Sequence, residues 1–159
     1  METTLDIVVL ALVAGQAAWL GIGVFDNIRY PDINRDGVAE VLRMESLKNY
    51  PKVEALVGYR RIHDPRIVRF CFGLIVAAEV IATALLWAAS LALACDVLGL
   101  VEGAWVRALA LIAVLAFTSV WGGFLIGGQW FYYWFGEHGQ PTHFFCLLWG
   151  IATMAALAG

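Results

Sequence analysis

The chain has 159 residues, of which 62% are hydrophobic, and a formal net charge of −3. Its mean hydropathy of +0.78 and its apolar share lie well above the ~45–50% usage of soluble domains. These values exclude a water-soluble globular fold, the charge leaves no nucleic-acid footprint, and the length suits a single membrane domain, residues 1–159.

The first six residues, METTLD, lack the basic stretch of a signal peptide, so the first apolar run is expected to be a retained helix. That run, residues 7–25, is interrupted only by Gln16. A polar loop, residues 26–69, follows and carries every Lys and Arg except Arg107. Within it Asn34 or Asp36 is expected to cap a short helix reaching Leu47, with Val38, Val41 and Leu42 on one face. Pro51 is expected to start a second short helix bearing Val53, Leu56 and Val57. Both read as amphipathic helices lying on the membrane surface.

Residues 70–94 form the second expected span, with Glu79 inside it. After a short connection comes the third, residues 108–135, which contains no Asp, Glu, Lys or Arg. At ~1.5 Å per residue a helix of that length outruns a hydrocarbon core of ~30 Å. A tight return at 136–141 leads to a last apolar run, residues 141–158. The expected fold class is therefore all-α: an integral membrane four-helix bundle with short amphipathic helices in the loop between its first two spans.

The connections after the first and third spans share one membrane face, termed the loop face. The positive-inside rule favours a cytoplasmic loop face, although seven acidic residues share the loop with the basic ones.

A carboxyl at the depth of Glu79 is costly unless it faces protein. Thr83 and Ser90 follow on the same helical face. Counted from the loop face at ~1.5 Å per residue, Glu79 and Gln16 lie ~14 Å deep and Gln129 ~10 Å. A shared polar cluster of Glu79, Gln129, Gln16 and Thr83 is therefore expected, serving as interhelical glue, the polar end of a ligand pocket or a proton relay. Ser119, Gly123 and Gly127 recur every fourth residue, the small-residue spacing that lets another helix approach closely, within the bundle or from a second chain. Trp130, Tyr132, Tyr133 and Trp134 belong to an aromatic run at the loop face, either an interfacial collar or a stacking wall for a ligand.

Asp32, Asn34, Asp36 and Gly37 match the first half of a calcium loop, but its twelfth position is Arg43, not the bidentate Glu required. Turn and capping chemistry is the preferred reading. His63, His138 and His143 lie in or beside loops, as surface or interfacial histidines. Cys71, Cys95 and Cys146 lack metal spacing and read as small apolar side chains. No hydrolase, phosphate-binding or dinucleotide motif is present, so no catalytic residue, cofactor or metal is expected.

Taken together, several short stretches resemble a family of bacterial predicted small integral membrane proteins. They are Asn27, Tyr30, Asn34, Val38, Val41-Leu42, Met44-Glu45, Tyr59-Arg60, Ile62, Pro65 and Glu79, then Gly127-Gly128-Gln129-Trp130-Phe131, Trp134 and Gly139-Gln140. Where this chain has Gln129, relatives resemble one another in carrying Glu, so a titratable group is lost here. The resemblance implies a four-helix inner-membrane protein whose signature residues Asn27, Asn34, Arg60 and Gln140 gather on the loop face. It also implies cytoplasmic termini, against the Lys and Arg count, and it supplies no activity. The small span-only body, the close-packing glycine face, the aromatic anchors and the missing catalytic chemistry lead to the expectation of a non-catalytic accessory or assembly subunit of a larger membrane complex, for example a respiratory or photosynthetic one. Its partners would be the bilayer, other membrane subunits or a second copy of itself. The alternative is a quinone- or lipid-binding protein, or a small transporter, with a polar pocket around Glu79.

Overall fold

In the computed structural model, which describes residues 2–136 and 139–159, the described chain is helical throughout its regular structure. The helices are α1 (Glu2–Arg29), α2 (Pro31–Leu42), α3 (Pro51–Val57), α4 (Pro65–Val97), α5 (Ala104–Trp130) and α6 (Gln140–Ala158). Among the described residues, four stretches are long and apolar enough to cross a membrane: Thr4–Arg29, Pro65–Val97, Ala104–Trp130 and Gln140–Ala158. At ~1.5 Å per residue the shortest of them, α6, still matches a ~30 Å core, and the others exceed it.

The bundle is knit by one inward stripe per helix. Val9, Val13, Ala17 and Leu20 of α1 meet Ala82, Leu86, Ala89 and Leu93 of α4. Val106, Ala110, Ala113 and Phe117 of α5 and Cys146 and Leu157 of α6 complete the core. These steps of three and four residues keep each stripe on one face. Helix α4 packs against both α1 and α5, α5 packs against α6, and α1 meets α6 and α5 only sparsely. Exposed Ile22, Ile81, Leu91, Ile112, Leu115 and Ile126 face outward, as a lipid-facing surface requires.

The loop face is folded by proline. Pro31 has no N–H and disfavours α geometry at the preceding residue. Tyr30 accordingly leaves the helix at φ −133° and ψ 57°, and α2 starts at once with Pro31 in its first turn. The expected cap at Asn34 or Asp36 is therefore corrected, because both lie inside α2, which ends at Leu42. Met44, at φ 52°, turns the chain into a 3-10 segment, Glu45–Asn49, in which Lys48 pairs with Glu45. That contact, ahead of any burial effect, holds the Glu45 carboxyl below its ordinary range. Pro51 opens α3 as expected. The Ile62 amide returns to the Leu42 carbonyl at 2.9 Å, and Asp64 caps α4 by accepting from the Arg66 amide at 2.7 Å.

Two small clusters dock this loop on the bundle. Ala39 and Leu42 of α2 pack on Val68. Met44, Leu47 and Val57 pack beneath Phe131, Tyr132 and Phe135. Helix α5 stops at Trp130, short of the expected 135, and Tyr132 takes a left-handed conformation before a 3-10 turn at Tyr133–Phe135.

Candidate functional site

The core stripes fill the half of the bundle remote from the loop face. In the loop-face half the helices diverge around a cleft of about 870 Å³, walled by α1, α4, α5 and α6 and roofed by α2. That volume lies within the ~300–1,000 Å³ typical of ligand pockets.

Ser119, Gly123 and Gly127 line this cleft. A Cβ added at Gly123 or Gly127 would meet nothing within 4 Å. The expected helix-packing role within the bundle is therefore corrected: the small side chains leave space that no helix of this chain fills. Leu74 and Ala78 of α4 also line the cleft and are equidistant, along the chain, from the 98–103 connection with Gly127 and Gly123. Leu74, Ala78, Ser119 and Gly123 are all exposed, so the cleft opens at membrane depth.

Its polar end is built from α1, α2 and α4. Asn34 Nδ2 donates to Asn27 Oδ1 at 2.6 Å, and Asn27 Nδ2 donates to Glu79 Oε2 at 2.6 Å. Asn27 and Glu79 are buried, and all three residues line the cleft. The break at Pro31 makes this possible by folding α2 back so that Asn34 meets the last turn of α1. Asp32 turns instead to Arg35, and Gly37 sits within α2. The segment that matches half a calcium loop is thus helical, without the sharp turn at its glycine that such a loop needs.

The expected four-residue cluster is not assembled. Gln16 Nε2 donates to Thr153 Oγ1 of α6 at 3.0 Å, within the packed core. Gln129 is exposed and does not line the cleft. Thr83 packs against α1 near Gly21, and its buried hydroxyl has no partner among the described residues. The depth count placed Glu79, Gln16 and Gln129 at one level, but the azimuths of the two glutamines differ from that of Glu79, and Thr83 shares the Glu79 face one turn deeper, so of the four only Glu79 lines the cleft.

The same cleft is also lined by an aromatic wall. His143 stacks on Phe124 at 4.6 Å, on Trp121 at 5.7 Å and on Tyr133 at 5.9 Å between ring centroids. Trp121 in turn meets Trp19 edge-on at 5.2 Å. Buried Trp121 Nε1, Tyr133 Oη and His143 Nδ1 have no hydrogen-bond partner among the described residues, and all three residues line the cleft. Burial pushes the Tyr133 phenol above its ordinary range, keeping it a neutral donor. Gly128 makes room for it: a Cβ there would fall 2.3 Å from the Tyr133 ring.

The aromatic run divides. Tyr133 belongs to the cleft, whereas Trp130 is exposed and lies 4.2 Å beneath the Arg60 guanidinium. Tyr132 and Trp134 pack on each other at 5.1 Å beside it. Gln140 begins α6, and Glu137 and His138 of the return lie outside the described residues. His143, expected as a surface or interfacial histidine, is half-buried at the cleft, and Trp121, which is not among the candidate residues of the sequence, joins it there. A signal existed: His143, Cys146, Gly150, Thr153 and Leu157 form one three-four stripe, and its other members are buried.

No curated protein matches the chain, and no solved structure matches it. A family model described as predicted small integral membrane protein (DUF2165) matches residues 5–158. That match covers all four membrane helices and the cleft between them, and the chain belongs to this family of small integral membrane proteins.

Proposed function

We propose that this protein binds a neutral amphiphile of the quinone class, taken from the bilayer into the loop-face cleft. The observation that carries the reading is a cleft that reaches Glu79 and is lined by three buried polar groups without a partner among the described residues. Trp121 Nε1 and the Tyr133 hydroxyl are donors suited to ring carbonyls, and the Phe124–His143 stack offers a face for a planar ring. No Lys or Arg is among the described residues lining the cleft, and a phosphate headgroup would lack the cations it normally requires. The exposed gap at Ala78 and Gly123 gives an apolar tail a route to lipid. This role involves binding, not catalysis, in a bacterial inner membrane with cytoplasmic termini.

Titration of the detergent-solubilised protein with a short-chain benzoquinone tests it through tryptophan fluorescence, because Trp19 and Trp121 line the cleft. Saturable quenching is expected, with affinity about tenfold weaker in Gly123→Leu, whose side chain fills the gap. Linear quenching that is identical in both proteins overturns the reading.

Membership of a larger complex as an accessory or assembly subunit is the second reading. Exposed Leu56 and Tyr59 on the loop face favour it, at 75% and 78% exposure, since apolar projections of this kind suit a protein partner. Extraction in mild detergent tests it: a particle with other subunits supports that role, and a lone chain overturns it.

A further inference from the structure

A second site lies on the flank of the α2–α4 seam, apart from the cleft. Arg35, Asp36, Ala39 and Arg43 share one face of α2 and its C-terminal edge, and Pro65, Val68 and Arg69 share one face of the first turns of α4. Together they line a pocket of about 240 Å³. Its floor is apolar and rigid, because Ala39 and Val68 are buried against each other. Three arginines and a single acid, Asp36, are among the described residues that line it.

Of the three arginines, Arg35 pairs with Asp32. Arg43 stands near Glu45, whose carboxyl it helps to hold below its ordinary range, and Arg69 lines the pocket beside it. Asp64, the N-cap of α4, accepts from the Arg66 amide. Arg69 is followed by Phe70, where the apolar run of the span begins, so the pocket sits at the level where headgroup phosphates lie. Guanidinium forks match phosphate oxygens bidentately, and basic pockets at this height beside membrane helices suit anionic headgroups.

We propose that Arg35, Arg43 and Arg69 form a phosphate-binding site that takes the phosphodiester of an anionic lipid headgroup. The assignment is independent of the cleft, whose described lining has no arginine. The two sites divide the chemistry of the bilayer: neutral heads enter the bundle, and phosphates are held at its rim.

Calorimetry on the delipidated full-length chain in detergent provides the test, with short-chain phosphatidylglycerol as one probe and inorganic phosphate as the other. Saturable phosphatidylglycerol binding is expected, weakened about tenfold or more in Arg43→Gln/Arg69→Gln. An intermediate loss is expected in Arg43→Lys/Arg69→Lys, which keeps the charge but not the fork. Gly123→Leu should bind phosphatidylglycerol as the native chain does, so failure of the cleft reading leaves this result standing. Saturable binding of inorganic phosphate, with phosphatidylglycerol no better, would overturn the lipid source. Equal phosphatidylglycerol binding by native and glutamine variants, each folded by circular dichroism, would overturn the site.

Discussion

Asn27 Nδ2 donates to Glu79 Oε2 at 2.6 Å, joining the last turns of α1 to a carboxyl near the middle of α4. The bond explains how a carboxyl is accommodated at membrane depth: it faces protein, and an amide satisfies one of its oxygens. Glu79→Gln keeps an acceptor for Asn27 and is expected to leave stability nearly unchanged. Glu79→Leu orphans a buried amide, a loss of ~1–3 kcal/mol. Reversible unfolding in mixed micelles measures both, and equal stability of the three proteins would mean that the bond contributes nothing.

The Gln16–Thr153 bond clamps α1 to α6, two helices that otherwise touch sparsely. Thr153→Val preserves shape and removes the acceptor, and a loss of ~0.5–1.5 kcal/mol is expected, in the range of interhelical polar pairs. A double-mutant cycle with Gln16→Leu isolates the pair, and the expected coupling is ~0.6 kcal/mol.

Glycines in this bundle divide by what surrounds them, and alanine scanning should show opposite signs. A Cβ at Gly128 would meet the Tyr133 ring at 2.3 Å, and one at Gly150 would meet Thr118 Oγ1 at 2.1 Å. Gly128→Ala and Gly150→Ala are therefore expected to cost ~1–3 kcal/mol through overpacking. Gly123→Ala meets open space and should stabilise α5 by ~0.5–1 kcal/mol through helix propensity. Thermal unfolding of the three variants reads the signs directly, and destabilisation by Gly123→Ala would mean that another chain covers that face.

Arg60 lies over Trp130 and donates from Nη1 to the Trp130 carbonyl at 3.3 Å, so it ties the interfacial loop to the end of α5. Arg60→Ala is expected to lose ~0.5–1 kcal/mol, the scale of an exposed cation–π contact. Arg60→Lys should recover only part, because an ammonium lacks the planar fork. Limited proteolysis of the 43–64 segment checks this locally, with faster cleavage expected in the order Ala, Lys, native.

Much of the fold was legible because hydrocarbon imposes a one-dimensional rule. A backbone crossing a bilayer must satisfy its own hydrogen bonds, so apolar runs of sufficient length become helices whatever else they contain. Pro51 marked the start of α3 for an equally local reason. Pro31 marks the start of α2 just as plainly, whereas a cap at Asn34 or Asp36 would begin the helix four to six residues later than it does.

The candidate site was legible only in part. Glu79 stood out because a carboxyl is expensive in an apolar run. Its partner Asn27 was visible only as a loop-face residue, since their contact depends on how α1 crosses α4. Gln129 and Gln16 matched Glu79 in depth, yet rotation about each helix axis turned one outward and the other toward Thr153. The small-residue stripe of α5 had the spacing of a packing face, but spacing alone does not distinguish a helix in contact from an empty cleft.

The sequence by itself determined that this chain spans a membrane four times and folds its polar loop on one face, because span length and proline position act locally along the chain. Only the tertiary structure decided that α4 and α5 part beside Gly123 and that His143 and Trp121 turn into the cleft that Glu79 lines. It alone set Arg43 and Arg69 around one pocket. Helix azimuth and divergence follow from packing among all the helices at once, and no single stretch of sequence carries them.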